Sequence, residues 1–414
     1  MSCCDNPASH DLASLDEALA RLLPEAIGPN DSERLPLTAT LGRVLAEPLV
    51  SPLDIPPWDN SAMDGYAVRV ADLAGSTPRL PVSQRLTAGT MGTPLAPGSA
   101  ARIFTGAPLP PGADTVIIQE VCEADGDAVV IHTPPPKIGA NVRRAGDDIR
   151  QGSEMIATGT RLLPQHLGLA ASMGFAELPV WRRLRVAILC TGDELTLPGQ
   201  TLRPGCIYNS NQFLLMGLLE RLGCEVRSLG PVPDTLDATC EALEAGTAWG
   251  GLVLGSGGVS VGEEDHVKPA LERLGELKLW KIAIRPGKPL AYGRLHGVPF
   301  LGMPGNPVSL FVTFCLIVRP FILRQQGIIG SVVPRGYSLI ADFDWPRPDT
   351  RREFVRARQV RGDDGVECAR IYPSRSSAVL SSVVWADGLI DIAPGQTLRR
   401  GDPVRFLPIE GLLG

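Results

Sequence analysis

The chain has no cluster of cysteine or histidine side chains. Its nine cysteines (3, 4, 122, 190, 206, 224, 240, 315 and 368) are scattered without CxxC spacing, and its five histidines are equally dispersed. That excludes a zinc module or a disulfide framework and fits reduced thiols, so a cytoplasmic location is expected. Positive charge is short as well. A net charge of −6 lacks the basic face a general nucleic-acid binder needs. No apolar run is long enough to be expected to cross a bilayer, and the N-terminus lacks the basic-then-apolar pattern of a signal peptide. No nucleic acid and no membrane are expected as partners.

What is present is bulk, with many turns. At 414 residues and 44% hydrophobic content, two to four domains with large cores are expected. Apolar residues at Leu12, Leu15, Leu19, Leu22 and Leu23 predict an amphipathic helix stopped by Pro24. A second helical piece is expected around Thr38 to Leu45. Between residues 52 and 136 the texture becomes short β-like runs, such as Val116-Ile117-Ile118 and Val129-Val130-Ile131, with Asp125-Gly126 as a hairpin turn. A helix through Pro164–Met173 follows.

From Arg185 the pattern reads strand–helix–strand. Strands are predicted over Arg185–Cys190, Glu225–Leu229, Gly251–Leu254 and Leu277–Ile284, with helices over Asn211–Leu222 and Leu236–Ala245. Pro307 begins a long apolar helix through Leu323. The fold class is multidomain α/β plus β: a doubly wound α/β domain (183–328), a β-rich insertion (52–136), a helical and linking region (1–51 and 137–182), and a small C-terminal β domain (329–414).

The organising stretch runs from Leu252 to Asp265. An apolar strand ends in Gly255-Ser256-Gly257-Gly258-Val259-Ser260-Val261-Gly262, followed by Glu263, Glu264 and Asp265. Glycines let backbone N–H groups converge on an oxyanion, and ligands of open α/β sheets bind at the carboxyl ends of strands. Asp193 with Glu194, and Asp234, are acids at other strand ends, and Lys281, Arg285, Lys288 and Arg356 supply cations. Acids take Mg²⁺ through oxygen and cations take anionic oxygens, so the set points to phosphate chemistry with a divalent metal. Taken singly, each charge also reads as a solvated loop residue. Asp64 reads equally as a turn cap beside Gly65, Thr105 as a turn former before Gly106, and Cys190 as core.

Five motifs then carry a resemblance: Asp59-Asn60-Ser61-Ala62-Met63-Asp64-Gly65-Tyr66-Ala67, Thr105-Gly106-Ala107-Pro108, Thr191-Gly192-Asp193-Glu194-Leu195, Ser256-Gly257-Gly258-Val259-Ser260-Val261-Gly262 and Pro304-Gly305-Asn306-Pro307. In this order they resemble the MoeA family, the molybdopterin molybdenumtransferases, related to the E domain of gephyrin-type proteins. The resemblance covers roughly residues 12–410.

It implies a molybdenum insertase that takes adenylylated molybdopterin and molybdate and releases AMP with Mg²⁺ or another divalent cation. It also implies a homodimer with a shared active site, and contact with the protein that adenylylates molybdopterin. By motif, Asp59 and Thr105 would reach across the dimer, while Glu194, Asp234 and Asp265 would line the metal and phosphate site. Lys281 would act beside them. Ser256, Gly257, Gly258, Ser260, Arg285, Lys288, Pro304, Pro307, Ser309, Arg356 and Ser377 would hold substrate oxygens. Two features depart from the family pattern: Arg285 stands where lysine is expected, a fork in place of a point charge, and the stretch around Ser377 matches loosely. The alternatives are an adenylyltransferase, which the two β regions disfavour, and a non-catalytic scaffold, which the retained acids disfavour.

Overall fold

The structure is a computed structural model that describes residues 12–75, 77–258, 266–362 and 365–413. Its centre is a seven-stranded mixed sheet. The strand order is Leu12–Ala13, Gly275–Ile282, Pro289–Leu295, Val298–Met303, Leu252–Ser256, Arg185–Thr191, Glu225–Val232. The last four run parallel, and Pro289–Leu295 is antiparallel to both its neighbours. Successive side chains of a strand point to opposite faces, so a strand covered on both sides feeds two cores. Val186, Ile188 and Cys190 pack with the helix Ser210–Arg221 and the apolar helix after Pro307. Ala187 and Leu189 pack instead with Leu236–Trp249 and Val267–Leu274. Helices on both faces make the domain doubly wound.

The apolar helix needs a correction. Pro307–Gln325 is long and apolar enough to cross a membrane by length and composition, contrary to the sequence expectation. It is instead a core helix, with 89% of its apolar window buried inside the protein. Phe314–Val318 is wound as a π-helix. Pro320 explains that, because its ring lacks an N–H and crowds the carbonyl one turn back.

The N-terminal segment pairs with chain that returns after the insertion. Ser32–Pro36 pairs with Glu177–Trp181, Leu49–Val50 with Glu154–Ile156, and Asn60–Ser61 with Val142–Arg143. Between these lies a six-stranded sheet ordered Thr115–Ile118, Gly65–Val68, Ala100–Ile103, Arg79–Leu86, Ala128–Ile131, Cys122–Asp125. The helix expected around Thr38 to Leu45 is absent. A single 3₁₀ turn, Leu37–Ala39, stops ahead of Gly42, whose φ is +76°, and bridges from Val44 to Arg161 and from Leu45 to Val180 replace helical bonds. Pairing with distant chain outweighed local propensity.

The C-terminal strands close into a five-membered ring: Arg352–Arg361, Glu367–Ile371, Tyr337–Ala341, Pro403–Pro408 and Gly388–Ile392, which returns to Arg352–Arg361. The strand expected over Leu277–Ile284 ends at Ile282. Ile284–Arg285 leaves the large sheet and pairs with Arg352 and Glu353 on the barrel. One loop is therefore shared between the α/β sheet and the barrel.

Candidate functional site

Three parallel strands end side by side, and their loops build the site. After Ser256, Gly257 (φ +85°) and Gly258 (φ +65°) adopt the left-handed conformation that glycine takes at no steric cost. The Gly257 N–H donates to Met303 O at 3.1 Å, tying this loop to the neighbouring strand end. Asn211 completes the join: its Nδ2 donates to Ser256 Oγ at 2.9 Å and to Gly305 O at 2.6 Å.

Two helices begin here. Asn209 caps Ser210–Arg221 by accepting from the Gln212 N–H, and Pro307 opens the apolar helix. Between them lies a cavity of about 760 Å³, lined by Thr191, Glu194, Tyr208, Asn211, Gly258 and Ser309 among others. Free N–H groups at helix starts carry partial positive charge, so the cavity favours an anion.

Of the sequence-predicted residues, Glu194, Ser256, Gly257, Gly258, Pro304, Pro307 and Ser309 line this cavity. Gly192 (φ +146°) turns the chain so sharply that a Cβ there would lie 2.5 Å from the Glu194 carboxylate. Asp234 is linked to the same loop: the Asp193 N–H donates to its Oδ2 at 3.1 Å, and the Asp234 N–H donates to Asp193 Oδ1 at 3.3 Å. Asp265, Ser260, Glu263 and Glu264 lie outside the described residues. Among the described residues no three His, Cys, Asp or Glu side chains gather as a metal site. Burial pushes the Cys190 thiol up to about 11, which matches a core residue and not a nucleophile.

The cations separate. Lys281 is exposed on the strand facing Pro289, itself a cavity residue, and the Ile282 N–H donates to Lys288 O at 2.9 Å. Lys281 and Lys288 are thus near neighbours at one strand end. Arg285 turns to the barrel, with Nη1 2.7 Å from Asp349 Oδ2 and Nε 3.8 Å from Glu353 Oε2. Arg356 is buried within the barrel and donates to Ser382 Oγ, Ser374 O and Ser376 O. It shapes the loop whose Ser377 O accepts from the Val308 N–H at 3.1 Å. Ser377 therefore meets the apolar helix through its backbone, and Arg356 is not among the described lining residues.

Burial alone would raise the Asp349 carboxyl, but hydrogen bonds from Arg351 and Arg285 outweigh it and hold the group well below the ordinary carboxylate range. A depressed folded value stabilises above the unfolded one, near pH 4, and that contribution is lost as pH falls through the folded value. The Arg352 N–H donates to Ala283 O across this junction at 2.9 Å. Hydrogen-exchange protection of that amide should therefore hold at neutral pH and decline as pH drops below about 4. In Asp349→Asn the decline should disappear.

Asp59 and Thr105 gather at a second place, off the described cavity lining. Asp59 accepts from Arg144 and from the Ala145 N–H, and Asp64 accepts from both the Thr105 N–H (2.7 Å) and its Oγ1 (2.8 Å). Asp64 thus caps the Thr105 loop and not its own turn. Sequence reading missed Asn211, Tyr208, Asn209 and Asn306. An asparagine just ahead of a predicted helix signals a cap, which finds Asn209, but nothing local singles out Asn211.

Comparison with known proteins agrees with this fold. Three family models match in succession: MoeA N-terminal region (domain I and II) over residues 13–174, Probable molybdopterin binding domain over 187–324, and MoeA C-terminal region (domain IV) over 338–409. The molybdopterin molybdenumtransferase of Haemophilus influenzae is 38% identical over 405 residues, covering 97% of this chain and all of its own. That of Bacillus subtilis is 32% identical, covering 92% of this chain and 90% of its own. A solved structure of the molybdopterin biosynthesis MoeA protein of Pyrococcus horikoshii superposes with a TM-score of 0.83 at 29% identity, over 96% of this chain and 100% of its own. Matched end to end by relatives of the same length and build, the chain belongs to the MoeA family.

Proposed function

We propose that the chain is a molybdopterin molybdenumtransferase that inserts molybdate into adenylylated molybdopterin and releases AMP. The observation that carries this is the 760 Å³ cavity between two helix N-termini and the Gly257-Gly258 loop. Its size lies within the range of small-molecule sites, and its donors suit a ligand with several phosphate oxygens. The Gly257-Gly258 loop, Ser256 and Ser309 take bridging oxygens. Lys281 and Lys288 offer charge to molybdate, a compact dianion. Donors already fixed around the bridging phosphates lower the cost of charge developing on the departing AMP.

Glu194 and Asp234 sit on loops joined by the reciprocal Asp193–Asp234 bonds, and both are hard oxygen donors of the kind Mg²⁺ takes. With Asp265 they would hold the divalent ion, whose charge would polarise the phosphate link. Asp59 and Thr105 lie off the cavity lining of their own chain, which a homodimer with a shared site accounts for. Contact with the adenylylating protein and a cytoplasmic location complete the reading.

The test is AMP release from adenylylated molybdopterin by the purified protein, with Mg²⁺, with and without molybdate. Molybdate-dependent release is expected. Binding without release would favour a scaffold, and synthesis of the adenylylated compound from ATP would favour an adenylyltransferase. Asn211→Ala should weaken substrate binding roughly 2- to 12-fold, the consequence of about 0.5–1.5 kcal/mol for a lost hydrogen bond. Isothermal titration with the adenylylated substrate reads it, with the thermal midpoint as control. Unchanged affinity would mean that the two loops hold their spacing without Asn211.

A further inference from the structure

Arg285 stands where the family resemblance led us to expect lysine, and the structure engages it elsewhere. Its guanidinium contacts Asp349 at 2.7 Å, and Asp349 also takes Nη2 of Arg351 at 3.0 Å. Glu353, 3% exposed, receives Arg375 as well as the more distant Arg285. Main chain reinforces the junction through the pairs Ile284 with Arg352 and Arg285 with Glu353. On the other side, a Cβ on Gly287 would lie 2.6 Å from Thr313 Oγ1, so the 285–289 loop rests directly on the apolar helix. The loop is therefore held between the barrel and the helix that opens the cavity. Lys281, in the strand before this loop, and Lys288, within it, have no ion-pair partner among the described residues.

We propose that Arg285 is a positioning residue in this protein: with Asp349 and Glu353 it tethers the 283–289 loop to the C-terminal barrel, and Lys281 and Lys288 alone supply the free charge that receives molybdate. This rests on the proposed insertase function and divides the work among its three cations. The physical reason is competition. A guanidinium hydrogen-bonded to one carboxylate and 3.8 Å from a second is already neutralised, and it gives up a charge-assisted hydrogen bond to reach a ligand. An exposed lysine gives up only water.

The two roles of Arg285 predict opposite signs for one variant. Were Arg285 an oxyanion ligand held back by Asp349, Asp349→Asn would release it and tighten molybdate binding. As a tether, Asp349→Asn loosens the loop and weakens binding. We would measure molybdate binding to the full chain by equilibrium dialysis, and hydrogen exchange of the Arg352 amide. Asp349→Asn and Arg285→Gln should each weaken binding and lower protection roughly tenfold, as expected for a lost charged hydrogen bond. Lys288→Ala should weaken binding with protection intact.

Tighter or unchanged binding in Asp349→Asn overturns the proposal, as does full Arg352 protection in Arg285→Gln. If Asp349→Asn does not fold, Arg285→Lys takes its place, keeping the charge and losing the fork. Reduced protection then supports the tether, and unchanged protection with unchanged binding overturns it. Failure of the parent chain to bind molybdate would count against the insertase function, leaving the exchange measurements to decide the tether by themselves.

Discussion

Gly258→Ala should lose molybdate-dependent AMP release by roughly 100-fold or more, the scale expected when reacting groups are displaced by about an ångström. Gly258 has φ +65°, and an added Cβ would lie 2.4 Å from Val267 Cγ2 and 3.2 Å from Thr191 Oγ1. Val267 is buried at the start of its helix, so it cannot swing away. The loop must move, and with it the N–H groups at the end of the Leu252–Ser256 strand. The left-handed conformation adds about 1–2 kcal/mol of strain for a residue with a Cβ. AMP release measured beside the thermal midpoint checks this: turnover should collapse while the protein still unfolds cooperatively. Full turnover would place the chemistry away from this loop.

Gly65→Ala should be the most damaging single methyl in the N-terminal half, destabilising by more than about 4 kcal/mol, the range kept for severe steric or packing defects. Its Cβ would lie 1.9 Å from Ile117 O and 2.9 Å from Ile117 C, both backbone. The close approach comes from the antiparallel pairing of Gly65 with Ile118 on one side and Ile103 on the other. Opening that ladder exposes Ala67, Val116 and Ile103, all buried. It also shifts Asp64, one residue earlier, away from Thr105. Urea unfolding followed by circular dichroism measures the loss. Gly28→Ala is the control, since its Cβ would meet nothing within 4 Å. Equal stabilities for the two variants would show that the sheet yields freely at Gly65.

The α/β elements were legible because their signals are local. Val186 to Cys190 and Leu252 to Leu254 are unbroken apolar runs, as strands buried on both faces must be, and Gly223 (φ +79°) ends its helix where a glycine is needed. Where distant chain competes, local reading fails. Thr38 to Leu45 looks helical until Val44 and Leu45 find Arg161 and Val180. Residues 277–284 look like one strand, but the barrel takes Ile284.

Sequence by itself determined the two-faced α/β domain, the glycine loop after Ser256, and which acids and cations are available for the site. Each follows from side-chain periodicity or from a backbone conformation that only certain residues adopt. Tertiary structure alone decided how those residues are spent. It joined Asn211 to Ser256 and Gly305 across 45 and 94 residues of chain, placed Asp59 and Thr105 off the cavity lining, and turned Arg285 and Arg356 toward the barrel. A charged side chain's role depends on which partner lies within hydrogen-bond reach, and that distance is set by the packing of segments far apart in sequence.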